Sequence, residues 1–257
     1  MPTALVTGAS SGIGAVYARR LAARGYDLVL VARATDRLNA LADDVRAAHG
    51  IAVEVITADL TDPAQLDAVV RRLQAGAPID LLVNNAGAAL LGGFAAADPA
   101  AMDQLLRLNV QAPTLLASAA VGGMLERGHG AIINIASVVA LVPEYFPGIY
   151  AATKAYMLTF SRGLAAELGP QGVYVQAVLP AATRTEIWGR AGADVEQIPG
   201  MMEVDDLVDA ALVGFDRKEE VTIPPVPDAA AWEAFEQARG GLAAGFGNST
   251  PGARYLA

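Results

Sequence analysis

The sequence predicts an α/β chain, a doubly wound parallel sheet of about seven strands with helices on both faces. Three observations carry this. Short apolar runs alternate with longer segments of helical period. The runs are rich in Val, Ile and Leu without strict alternation, as strands buried on both faces should be. Of 257 residues, 54% are hydrophobic and 18% charged, which supports a large core and excludes disorder.

The elements follow in order. Residues 3–7 read as the first strand, entering through Ala4, Leu5 and Val6. A glycine-rich turn leads to a helix whose apolar face carries Val16, Tyr17 and Leu21. A second strand at 27–32 precedes a helix with Leu38, Leu41 and Val45, for which Asp36 is the expected cap. Strands at 51–57 and 79–84 precede helices that start at Asp62-Pro63 and Asp98-Pro99, each an N-cap followed by proline at the first helical position. Long helices are expected around 102–127 and 149–168, with further strands at 131–136, 173–178 and 220–223. Nothing resembles an interdomain linker, so 1–257 is read as a single domain. From about Pro224 an extension over 224–257 begins with a proline cluster, continues as a helix over 229–239 and ends in a Gly-rich tail.

Composition removes several function classes. Acidic residues exceed basic ones, 27 to 18, for a net charge of −9. Nucleic-acid binding needs clustered basic charge, so that partner is not expected. Zero cysteines exclude disulfides, thiolate metal sites and a cysteine nucleophile. His49 and His129 each precede a glycine, where a helix is expected to end, and no metal site is expected from them. No signal peptide and no uninterrupted apolar run of membrane length is seen, so a cytoplasmic protein with no membrane partner is expected.

The turn after the first strand reads Thr7-Gly8-Ala9-Ser10-Ser11-Gly12-Ile13-Gly14. Glycines between a strand and a helix permit a tight turn and close backbone approach to a diphosphate at the helix N-terminus. The spacing is one residue wider than the familiar G-x-G-x-x-G, and a glycine loop alone can be merely a turn. Tyr150 and Lys154 form Y-x-x-x-K, and the lysine is one of only two in the chain against sixteen arginines. Four residues apart on a helix, the two side chains share a face. An ammonium there is expected to lower the phenol's pKa from its usual value near 10.

These residues and others in the same order resemble the short-chain dehydrogenase/reductase family. The marks are Thr7 to Gly14, then Asp59-Leu60, then Asn84-Asn85-Ala86-Gly87, Asn109, Ser137, Tyr150 with Lys154, and Pro180 with Thr183 and Thr185. The resemblance runs from residue 3 to about 190. Ala181 departs from the family's usual glycine after the proline. The resemblance implies a Rossmann-type single domain that transfers hydride between a nicotinamide cofactor and a carbonyl or alcohol. It implies that Tyr150 gives a proton to the carbonyl oxygen, that Ser137 hydrogen-bonds that oxygen and that Lys154 also binds the nicotinamide ribose. Asn109 would anchor a water linking Lys154 to solvent. The implied cofactor residues are Gly8, Ser10, Ser11, Gly12, Ile13, Gly14, Asp59, Leu60, Asn85, Ala86, Gly87, Tyr150, Lys154, Pro180, Thr183 and Thr185, with Asp59 reading the adenine.

At the end of the second strand stands Ala32-Arg33. A carboxylate there would accept from a ribose 2′-hydroxyl, whereas an arginine accommodates a 2′-phosphate. NADP(H) is therefore the expected cofactor, held by Arg33 with help from Ser10 or Arg37. For substrate contact the reading selects Val138, Val139, Tyr145 and Phe146 after Ser137. Beyond Thr185, in an expected lid over 186–204, it selects Ile187, Trp188, Met201 and Met202. Ala88, Ala89, Leu90, Leu91, Leu141, Val142 and Ile198 extend these apolar segments, and Glu144, Arg184 and Arg190 are the charges that could face the pocket instead. The expected activity is reduction of an apolar, uncharged ketone or aldehyde by NADPH. The alternatives are a 3-oxoacyl thioester reductase and a non-catalytic NADP-sensing protein. Ala112, Ala117, Ala119, Ala155 and Ala165 on the two long helices suggest close helix contact in a homodimer or homotetramer.

Overall fold

A computed structural model describes residues 1–146, 148–192, 194 and 198–256. Seven strands form one parallel sheet: β1 (Thr3–Thr7), β2 (Asp27–Ala32), β3 (Val53–Thr57), β4 (Leu81–Asn84), β5 (Gly130–Ile135), β6 (Val173–Val178) and β7 (Val221–Thr222). Their order is β3-β2-β1-β4-β5-β6-β7, so the chain reverses direction of build between β1 and β4. A crevice opens at such a switch point, outside the carboxyl ends of the strands. All seven strands lie within two residues of the expected bounds.

The helices are α1 (Gly12–Ala23), α2 (Thr35–His49), α3 (Pro63–Ala75), α4 (Pro99–Leu106), α5 (Ala112–Arg127), α6 (Ile149–Leu168), α7 (Ile187–Arg190) and α8 (Val204–Asp216). Period-two burial sorts the strand residues between two cores. Ala4, Val6, Leu28 and Leu30 pack with Tyr17, Leu21, Leu38 and Val208 from α1, α2 and α8. Leu5, Val29, Val31 and Leu82 pack on the opposite face with Val69, Leu116 and Leu168 from α3, α5 and α6. Helix starts follow their caps: Asp62 Oδ1 accepts from Ala64 N at 2.9 Å and Asp98 Oδ1 from Ala100 N at 3.1 Å. The run Pro99–Arg127, 29 residues through α4 and α5, is long and apolar enough to cross a membrane by length and composition. Leu116 and Met124 from this run are buried in the core on one face of the sheet.

Three expectations are corrected. Ala34, not Asp36, precedes α2, and Asp36 sits inside its first turn. The α5 helix ends at Arg127 with Gly128 in the left-handed conformation (φ 70°), so His129 lies one residue past the cap, between α5 and β5. Four of the five alanines proposed as a subunit face, Ala112, Ala117, Ala119 and Ala165, are buried in the chain's own core. Small residues let α5 and α6 approach the sheet closely, and their exposed positions include Leu115 and Tyr156.

Residues Pro225–Ala257 form a second compact unit. Its helix α9 (Ala229–Ala243) extends four residues past the expected end, starts where Asp228 accepts from Ala230 N at 2.9 Å, and stacks Trp232 on Phe235.

Candidate active site

The crevice at the β1/β4 switch is a cavity of about 620 Å³. Its floor is the glycine turn. Gly8 adopts φ +67°, a conformation that L side chains rarely adopt, and a Cβ on it would lie 2.8 Å from Asn85 Nδ2. Gly14 is packed from beneath: a Cβ there would sit 2.4 Å from the Gly8 carbonyl oxygen and 2.5 Å from Asn85 Nδ2. The turn is therefore bare on its cleft side and filled on the other. Thr7 fixes it to the loop after β4, its hydroxyl accepting from Asn85 N and Ala86 N, both at 3.0 Å. Asn85 Nδ2 returns a hydrogen bond to the Thr7 carbonyl at 2.8 Å. This cradle fits a dinucleotide: backbone amides at a helix start, with no side chain in the way.

At one end of the cleft stand Arg33, Arg37 and Asp59. Arg33 leaves the end of β2 with 70% of its side chain exposed and lies 3.7 Å from Asp59 Oδ2. Burial opposes ionisation of Asp59, but hydrogen bonds from Thr61 and the Arg33 charge outweigh it and hold the carboxyl below its usual range. Asp59 Oδ1 is engaged by Thr61 N and Oγ1 at 2.9 and 2.7 Å, which leaves Oδ2 toward Arg33.

At the other end α6 brings Tyr150 and Lys154 to the cleft wall beside Ser137. Lys154 Nζ donates to the Ile135 carbonyl at 2.9 Å, and Ser137 Oγ donates to the Pro180 carbonyl at 3.1 Å. The expected lowering of the phenol is corrected. Burial dominates and pushes Tyr150 up to about 12, against a hydrogen bond with Ser137 that pulls it down. The same burial pushes the Lys154 ammonium down to about 8. Asn109 sits in a widened helical turn, Arg107–Gln111, between α4 and α5. Its amide bonds Ala88 N and Ala88 O, both at 2.9 Å, and donates to Thr153 Oγ1 at 3.1 Å. That locks the loop around Gly87 against α6, where a Cβ on Gly87 would lie 3.3 Å from Asn109 Oδ1 and 3.7 Å from Lys154 Nζ.

Of the expected site residues, Ser10, Ser11, Gly12, Ile13, Leu60, Ala86, Pro180, Thr183 and Thr185 also line the cleft, as do Val138, Val139, Phe146, Ile187 and Trp188. Gly14 and Asn109 support it without lining it. Phe146 packs 5.0 Å from Tyr150 and 6.4 Å from Trp188, ring centroid to ring centroid. Trp188 is anchored by its indole N–H on the Thr183 carbonyl at 2.8 Å, so that carbonyl is already engaged.

Other expected substrate contacts lie elsewhere. Tyr145 is 82% exposed, because the short turn at Pro143–Tyr145 carries it outward. Met201 and Met202 do not line the cleft. Met202 pairs through its backbone instead, donating to Ala182 O at 2.9 Å and accepting from Arg184 N at 3.0 Å. Ala88 to Leu91, Leu141, Val142 and Ile198 are also absent from the lining, as are Glu144 and Arg184. Arg184 pairs with Glu203 at 3.0 Å. The expected lid falls partly on residues 193 and 195–197, which lie outside the described residues.

Among the cleft residues not foreseen from the sequence, Glu186 carries the clearest consequence. Glu186, at the start of α7, accepts from Arg37 Nη1 through both oxygens at 2.9 Å and also pairs with Arg190. Hydrogen bonds from Arg37 hold its carboxyl below the usual range against the cost of burial, and the Arg190 charge adds to the lowering. The i, i+4 spacing to Arg190 was the available signal.

Several known proteins are similar to the chain. The family model of short chain dehydrogenases matches residues 2–196. A solved short-chain dehydrogenase from Sphingobium yanoikuyae in complex with NADPH is 56% identical over 100% of both chains, with a TM-score of 0.97. The bulky-bulky ketone specific alcohol dehydrogenase from Comamonas testosteroni is 47% identical over 100% of this chain and 99% of its own, with a TM-score of 0.92. A very-long-chain 3-oxoacyl-CoA reductase from Anas platyrhynchos is 33% identical over 188 residues, 72% of this chain and 60% of that relative, so the chain spans about three fifths of that curated relative's length. The family model covers most of the chain, and the chain belongs to the short-chain dehydrogenase family.

Proposed function

We propose that this chain reduces bulky, largely apolar ketones to alcohols with NADPH, and runs the same reaction backwards. One observation carries the reading. A single cleft joins the glycine cradle and Arg33 at one end to Ser137, Tyr150 and Lys154 beside an apolar wall of Val138, Val139, Phe146, Ile187 and Trp188 at the other. The Sphingobium relative, solved with NADPH, and the Comamonas relative, specific for bulky ketones, both support it.

Arg33 would pair with the 2′-phosphate, for which a guanidinium offers a bidentate fork. The glycine turn, Asn85 to Gly87 and Thr185 would hold the rest of the dinucleotide. Reduced nicotinamide supplies hydride to the carbonyl carbon when bound. Tyr150 donates its proton to the carbonyl oxygen, and Ser137 hydrogen-bonds that oxygen where negative charge develops. Lys154 stabilises the phenolate left on Tyr150, and Asn109 holds the loop that shapes this corner. A water on Asn109 would carry the replacing proton toward Lys154.

The curated relative's name favours a second reading, reduction of a 3-oxoacyl thioester. The net charge of −9 offers little to an acidic carrier or coenzyme. A non-catalytic sensor would not need Ser137, Tyr150, Lys154 and Asn109 together. Assay of NADPH oxidation with an aryl ketone beside a 3-oxoacyl thioester separates the three. We further propose a homodimer or homotetramer through the outer faces of α5 and α6, where Leu115 and Tyr156 are exposed. A monomeric mass by light scattering would refute it.

A further inference from the structure

The diphosphate of a dinucleotide brings negative charge to a turn that has none of the opposite sign. From Gly8 to Gly14 the turn offers backbone N–H groups and the hydroxyls of Ser10 and Ser11 only. Among the described residues lining the cleft, the cations are Arg33, Arg37, Lys154 and Arg190. Arg33 stands beside Asp59, Arg37 is engaged by both oxygens of Glu186, and Lys154 is buried at the Tyr150 end. Arg190 is the one that reaches the turn: its Nη2 donates to Ser11 Oγ at 3.2 Å, from a position 179 residues away in sequence. The same nitrogen pairs with Glu186, which fixes the guanidinium over the start of α1. From the sequence Arg190 is one of the charges expected to be able to face the pocket; its contacts put it on the cofactor side.

We propose that Arg190 binds the diphosphate of the dinucleotide, held in position by Glu186. The inference rests on the cofactor reading above and deepens it. A guanidinium presents paired N–H donors that match two phosphate oxygens, and its charge offsets what the neutral turn cannot. The α7 segment thereby ties the substrate side of the cleft to the occupied cofactor side. Arg190 is about half exposed, so its replacement leaves the core intact.

The test is fluorescence titration of the full chain with NADPH, NADH, ADP-ribose and adenosine 2′-monophosphate, for the parent, Arg190→Gln and Arg190→Lys. Arg190→Gln should weaken NADPH, NADH and ADP-ribose equally, by about tenfold, the scale of one charge-assisted hydrogen bond. Adenosine 2′-monophosphate, which has no diphosphate, should bind as to the parent, and Arg190→Lys should recover part of the loss. The proposal is overturned if the dinucleotide affinities stay within twofold of the parent, or if only NADPH and adenosine 2′-monophosphate weaken. It is equally overturned if KM for an anionic ketone rises with cofactor affinity unchanged. A parent that binds neither NADPH nor NADH would sink the functional reading itself, whereas a parent that binds both while Arg190→Gln matches it sinks this inference alone.

Discussion

The Lys154 ammonium lies 5.7 Å from the centroid of the Tyr150 ring, yet it spends its hydrogen bond on the Ile135 carbonyl. Burial therefore governs both groups: the phenol is pushed up to about 12 and the ammonium down to about 8. Tyr150 rests as a protonated phenol, the form that the proposed ketone reduction would consume.

Replacing Tyr150 by Phe removes the acid but keeps the ring that packs on Phe146. General acid catalysis contributes about 10²–10⁴-fold, so kcat should fall by that order while NADPH affinity measured by titration stays within about twofold. Activity within threefold of the parent would remove Tyr150 from its role.

The two directions should separate with pH. The proposed reduction would need Tyr150 protonated and Lys154 charged, so its kcat/KM should be level through neutrality and fall above about pH 8. Alcohol oxidation needs the phenolate and should gain as pH rises. Reduction that climbs between neutral and alkaline pH would contradict this assignment.

Lys154 also costs stability. Its folded value, about 8, lies below the ordinary lysine value of 10.5, so the penalty is fully present below about pH 8. As pH rises from there toward 10.5 the unfolded chain holds more protons, and stability of the parent increases. Lys154→Met should therefore raise stability at neutral pH by on the order of 1–3 kcal/mol, while abolishing turnover. Thermal melts of both proteins should converge in alkaline buffer. A Met variant less stable at neutral pH would show that the Ile135 contact outweighs desolvation.

Arg33 should discriminate between cofactors. Loss of a charge-assisted phosphate contact costs on the order of 1.5–3 kcal/mol, so Arg33→Ala should weaken NADPH roughly 10- to 150-fold and leave NADH nearly unchanged. Equal loss for both would mean that Arg33 acts through Asp59 instead, 3.7 Å away.

The sheet was legible because runs such as Leu28 to Val31 bury alternate residues in two cores, and a strand buried on both faces is apolar throughout. Gly8, Tyr150 and Lys154 were legible because each chemistry requires its residue type. What escaped depended on chain path. Nothing local states that Glu186 meets Arg37 from 149 residues away, or that the turn at Pro143–Tyr145 carries Tyr145 outward while Phe146 turns in. The alanines of α5 and α6 misled for a related reason: small side chains suit close packing on a sheet as well as on a partner.

The central claim is that one cleft couples NADPH to an apolar carbonyl through Tyr150. The most direct measurement is kcat/KM for NADPH oxidation with a bulky aryl ketone against a keto acid of similar size and a 3-oxoacyl thioester. The ketone should lead the keto acid by about tenfold or more, since Val138, Val139, Phe146 and Trp188 present no cation to a carboxylate. A keto acid or thioester favoured by the same margin, or no NADPH oxidation with any of the three, would contradict it.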